Sequence, residues 1–171
     1  MTDRVFESPF QWNIYGSSGR TSLGGNFLRA WRGSDGSELI LTELSVAGLW
    51  IDRSKKKISF TDLQKDFTIT LSQVIVYRRK VEELIDDLAS WLDSPVEILR
   101  DLCGDSKDQS LKFYLGPPDP QKKRLEKTIF EIQYSGTAFE SGNWFFGTDQ
   151  SCIRIFVDEL RLALEKLGHS A

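Results

Sequence analysis

The chain has 171 residues, 40% of them hydrophobic and 27% charged, with a net charge of −3. That length suits one domain, 1–171, with a sizeable core. The composition excludes wholesale disorder, and the charge is too small to draw in a nucleic acid or a membrane through the overall field.

Apolar runs such as VAGLWI fall far short of the roughly 20 residues a membrane helix needs. MTDRVFESPFQW has no apolar segment of the kind a secretory signal carries, so a cytoplasmic location is expected. Residues 1–10 read as a loosely ordered lead-in, followed by a strand over Gln11–Tyr15. GSSGRTSLGG, Gly16–Gly25, reads as a turn or mobile loop. Its GxxGRT core lacks the lysine of a phosphate-binding loop, Arg20 standing there instead, and NFLRAW after it reads as a strand rather than a helix.

From Asn26 to Ser72 short β runs alternate with turns: NFLRAWR, SELILTEL, VAGLWID, ISF and DFTITL, the pattern of a meander with one apolar face. The longest helical period follows, over Ser72–Asp93. Val74, Tyr77, Val81, Leu84, Leu88 and Trp91 recur at steps of three and four, and Arg78, Arg79, Glu82, Glu83, Asp86 and Asp87 take the opposite face. Ser94-Pro95 stops that helix, and PVEILRDLCG reads as a short second helical turn ended by Gly104. Strands are expected again at Ser110–Gly116, at Thr128–Tyr134 and at NWFFG. A second long helix runs over Asp149–Leu167, with Ile153, Phe156, Val157, Leu160, Leu164 and Leu167 on one stripe, Thr148 or Asp149 as N-cap, and Gly168 as stop before a frayed 168–171 tail.

The expected fold is therefore α+β, mainly antiparallel sheet with two long amphipathic helices packed on its apolar face. VEELIDDLASWL and VDELRLALEKLG each close a β-rich stretch, so two β-meander-plus-helix halves is one reading, and the common composition of amphipathic helices is the other.

A metal site needs several ligands at short spacing, and a nucleophile needs a base. His169 is the one histidine and sits near the end of the chain, so Cys103 and Cys152 read as small hydrophobes. The carboxylate pairs Glu82/Glu83, Asp86/Asp87 and Asp158/Glu159 fall on outer helix faces, where no burial raises a pKa toward general-acid use. No catalytic residue, metal or cofactor is expected. Catalysis would have to rest on loop carboxylates such as Asp35, Asp52 or Asp149.

Two features point to binding. Trp144, Phe145 and Phe146 in SGNWFFG make a strand apolar on both faces, either covered within the fold or offered to a partner. Basic clusters at Lys55, Lys56, Lys57, at Arg78, Arg79 and at Lys122, Lys123, Arg124 would form a nucleic-acid surface if brought together, with Phe113 and Tyr114 as stacking platforms. Solvated loop charge is the plainer account of them.

The order of parts resembles the WapI-type immunity proteins of bacterial contact-dependent toxin systems: a β-meander with NFLRAW, a strand entering a helix in FTITLSQVIVYRRKVEELIDDLASWL, the long strand TIFEIQY, and the closing helix FVDELRLALEKL. The resemblance implies a small cytoplasmic protein whose partner is a cognate toxin that it binds and occludes. The expected function is thus non-catalytic protein binding, with nucleic acid disfavoured as a partner and no membrane. The alternative is a nucleic-acid or small-ligand binding module, marked by salt-sensitive affinity in the first case and a deep apolar pocket in the second.

Overall fold

The computed structural model of the chain describes residues 10–16, 22–51, 64–104, 109–116, 128–135 and 141–168. Four strands, β1 (Gln11–Tyr15), β2 (Ser22–Arg32), β3 (Glu38–Ile51) and β4 (Gln64–Tyr77), lead into α1 (Arg78–Asp93). Four more, β5 (Ile98–Asp101), β6 (Ser110–Leu115), β7 (Thr128–Ser135) and β8 (Ser141–Thr148), lead into α2 (Gln150–Leu167). Each set forms an antiparallel sheet in chain order, β1-β2-β3-β4 and β5-β6-β7-β8. The expected α+β class holds, and the architecture is a meander closed by a helix, twice over. Among the described residues no helix is long and apolar enough to cross a membrane.

The halves are not independent, because α2 packs on β1 and β2 of the first sheet and on α1, while α1 also meets β5 of the second. Trp12 of β1 stands at the junction, with ring centroids 6.0 Å from Phe27, 6.3 Å from Phe113 and 5.6 Å from Phe156. These four rings come from both sheets and from α2, so a single core serves the whole fold. Arg100 of β5 fastens that sheet to α1 through Asp87 at 2.6 Å and Glu83 at 2.7 Å.

Four elements depart from the sequence reading. The helix begins at Arg78, not Ser72: Val74 and Val76 are buried strand residues while Ile75 is exposed, a period of two that fits a strand. A β-branched run such as VIV satisfies both periods at once, and pairing with β3 decides between them. β2 starts at Ser22, so Gly24 and Gly25 lie in a strand rather than a loop. A Cβ on Gly25 would fall 2.1 Å from Cζ2 of Trp12, and glycine is what lets the indole lie flat on β2. SELILTEL and VAGLWI fuse into β3 through a register shift between Glu43 and Ser45. ILRD of PVEILRDLCG is strand β5, not a helical turn, although Gly104 ends the following turn with φ +60°.

The second helix matches its sequence signals closely. Asp149 is the N-cap, its carboxylate accepting from the Cys152 amide at 2.9 Å and from Ser151 Oγ at 2.6 Å. Gly168 follows at φ 70°.

Candidate nucleic-acid interface

Register places the first sheet's side chains on two faces. Ala30, Ile40 and Val76 pair across β2, β3 and β4 on the inner side, and Ile40 and Val76 are fully buried. The outer side therefore carries two adjacent rows, Arg29–Leu41–Ile75 and Trp31–Leu39–Tyr77. An antiparallel sheet with one face in the core ordinarily turns polar residues to water on the other. Here the outer rows are apolar and aromatic, yet Ile75 is 37% exposed and Trp31, Leu39 and Leu41 are half-buried. The Arg29 guanidinium lies 4.9 Å from the centroid of the Trp31 ring, a cation–π arrangement that couples the two side chains on this face.

The row ending at Tyr77 runs into a surface hollow of about 420 Å³ lined by Asp35, Ser37, Glu38, Arg78, Arg79, Lys80, Glu82 and Gly104. Its walls are charged, with both signs present, and it does not resemble a deep apolar ligand pocket. Asp35 stays ionised there, its carboxyl held below the usual range by the Ser37 amide and then the Ser37 hydroxyl.

The sequence-derived candidates scatter. Arg78, expected on an outer helix face, is 6% exposed, and its guanidinium donates to the Gly168 and Leu164 carbonyls and to Glu82. It staples the end of α2 and has no face left for a phosphate. Arg79 is on the surface with its side chain 83% exposed, paired to Glu83 at 3.1 Å. Lys55, Lys56, Lys57, Lys122, Lys123 and Arg124 lie outside the described residues. Phe113 is buried in the core beside Trp12, so it is no stacking platform, whereas Tyr114 is half-buried on the other face of β6. Trp144 pairs with Ile132 and Phe146 with Phe130, in the rows that end at the buried Phe113 and Leu115. Phe145 pairs with Glu131 and so belongs to the opposite row, with Tyr114.

The carboxylate pairs are also accounted for. Glu83 is held below the usual carboxylate range chiefly by its hydrogen bond from Arg79. Asp149 is lowered by the Ser151 hydroxyl first and the Cys152 amide after it. Glu159 accepts from the Asn13 amide of β1. Sequence reasoning missed the Arg29–Trp31 face, although the spacing of two in RAW was its visible sign.

Fold and surface together define a two-sheet α+β protein with one apolar, cation-bearing sheet face open to solvent. No family model and no curated protein matches the chain. Among solved structures, WHY3 from Arabidopsis thaliana is similar at 11% identity and a TM-score of 0.41, covering 96% of this chain and 90% of its own. WHY1 from the same plant is similar at 9% identity and a TM-score of 0.40, covering 92% and 84%. Scores this low carry no function across. Against these neighbours the expectation of a chain that binds and occludes a toxin is withdrawn, together with that of a protein as its partner. The disfavouring of nucleic acid goes with it, since it leaned on a net charge that says nothing of a local surface.

Proposed function

We propose that this chain is a non-catalytic nucleic-acid-binding module that receives an unpaired strand on the outer face of the first sheet. The observation that carries the reading is the half-exposed double row Arg29–Leu41–Ile75 and Trp31–Leu39–Tyr77. Bases offer an apolar face to such a platform whatever their identity, and an arginine already stacked on the tryptophan supplies charge to the phosphate at little cost in side-chain entropy. Binding to single strands follows, because only unstacked bases reach a flat sheet. The carboxylates of α1 and α2, paired or lowered as described, favour binding over acid–base chemistry. Cys103 and Cys152, both free thiols, suit the reducing cytoplasm.

The test is fluorescence anisotropy with a labelled single-stranded oligonucleotide of mixed sequence, as DNA and as RNA. Trp31→Ala is expected to weaken binding by roughly 5- to 150-fold, the loss of about 1–3 kcal/mol of base stacking. Arg29→Ala is expected to lower the slope of log affinity against log salt by about 0.7. Affinity unchanged in both variants, or no binding by the wild type at low salt, refutes the reading.

A further inference from the structure

The outer face of the first sheet changes character two residues along from its apolar rows. There the register sets Gln11, Asn26, Glu43 and Gln73 side by side across β1, β2, β3 and β4. Two residues of extended strand put this polar row about 7 Å from Arg29–Leu41–Ile75, within reach of the edge of a base lying on that row. Asn26 and Arg29 are three apart in the sequence and still share a face. The register shift between Phe27 and Arg29 leaves Leu28 as an extra residue on β2, and a bulge of that kind reverses the alternation.

The row is rich in hydrogen-bond acceptors. Gln73 is exposed, and Glu43 and Gln11 are half-buried. Asn26 is 7% exposed, and its buried Oδ1 has no hydrogen-bond partner. An acceptor buried without a donor is costly, and a ligand that brings a donor recovers that cost. Glu38, Glu82, Glu83 and Asp87 are matched to Arg78, Arg79 or Arg100, whereas among the described residues no cation is matched to Glu43. Asn26 and Glu43 are direct cross-strand partners, so their side chains start only about 5 Å apart.

We infer that this row reads the edge of the base stacked beside it and selects bases that carry an exocyclic amino group, cytosine over thymine or uracil. An amino group has two N–H donors, one for the Glu43 carboxylate and one for Asn26 Oδ1. Thymine and uracil carry a carbonyl oxygen at the position of the cytosine amino group, and a carboxylate repels it. The inference rests on the nucleic-acid reading and adds selectivity to it.

The experiment is fluorescence anisotropy of the full chain with labelled oligodeoxycytidylate and oligodeoxythymidylate of equal length at neutral pH. The two pyrimidines are of one size, so the ratio of their affinities isolates the base edge from stacking and from phosphate contacts. The cytidine strand is expected to bind tighter by roughly 5- to 150-fold. Glu43→Gln, isosteric and checked for folding by circular dichroism, is expected to bring the ratio towards one, weakening the cytidine strand and strengthening the thymidine strand. Trp31→Ala is expected to weaken both strands and keep the ratio. Equal wild-type affinities, with both weakened by Trp31→Ala, would overturn the selectivity and leave the stacking face standing. A preference that survives Glu43→Gln would overturn the assignment to this row, and no binding of either strand would overturn both readings.

Discussion

Removing Arg78 is the sharpest perturbation of how the two halves hold together. Its guanidinium donates to the Gly168 carbonyl at 2.5 Å, to the Leu164 carbonyl at 3.2 Å and to Glu82 at 3.0 Å, and lies 3.5 Å from Glu38. The Arg78 and Glu38 side chains are 8% and 11% exposed, so water cannot replace what is lost, whereas Glu82 is 52% exposed and adds little. Two charged hydrogen bonds to the end of α2 at about 1.5–3 kcal/mol each bring the loss in Arg78→Ala to about 3–5 kcal/mol, the range for breaking a buried pair from one side. For a chain of this size that lowers the melting temperature by about 6–20 °C. Arg78→Met keeps the aliphatic packing and loses the charge. Adding Glu38→Gln to Arg78→Met is expected to recover part of the loss, because the stranded carboxylate is then gone. Thermal melts followed by circular dichroism measure all three. A loss below about 1 kcal/mol in Arg78→Ala would refute the argument.

Asp149→Ala removes the N-cap of α2 and is expected to cost about 0.5–2 kcal/mol at pH 7, with Asp149→Asn recovering most of it. The Asp149 carboxyl is lowered from 3.8, so its contribution is complete above that pH and fades as the pH falls through the folded value. Urea titrations of wild type and Asp149→Ala should therefore draw closer as the pH falls below 3.8 and keep their full separation above it; a gap that widens in acid would reject the cap assignment. The Cys103 thiol is fully buried and pushed up to about 12, by burial first and the Asp101 carboxylate second. A thiol reagent at pH 8 is expected to leave Cys103 untouched in the native protein and to modify it on unfolding, as peptide mapping would read; rapid native labelling would place Cys103 elsewhere.

Much of the architecture was legible in the chain because local chemistry agrees with the fold there. QWNIY alternates, Asp149 and Gly168 bracket a clean stripe of period 3.6, and the spaced β runs spell two meanders. The stripe from Val81 to Trp91 settles α1, but LSQVIVY obeys two periods at once. Only hydrogen bonds to a strand far away in sequence make it the end of β4. The same holds for the glycines of β2, which look like a loop until an indole is seen lying on Gly25.

The candidate site was hidden for a related reason. An arginine two positions before a tryptophan says nothing until register sets both beside Leu39, Leu41 and Ile75 on one face. Arg78 and Arg79 are adjacent and chemically identical in the sequence, yet one anchors a helix terminus and the other faces solvent. Amphipathic periods and caps act within a few residues, so the sequence by itself determined the helices, most strands and the α+β class. Sheet faces and the partners of buried charge depend on contacts between residues far apart in the chain, and those only the tertiary structure decided.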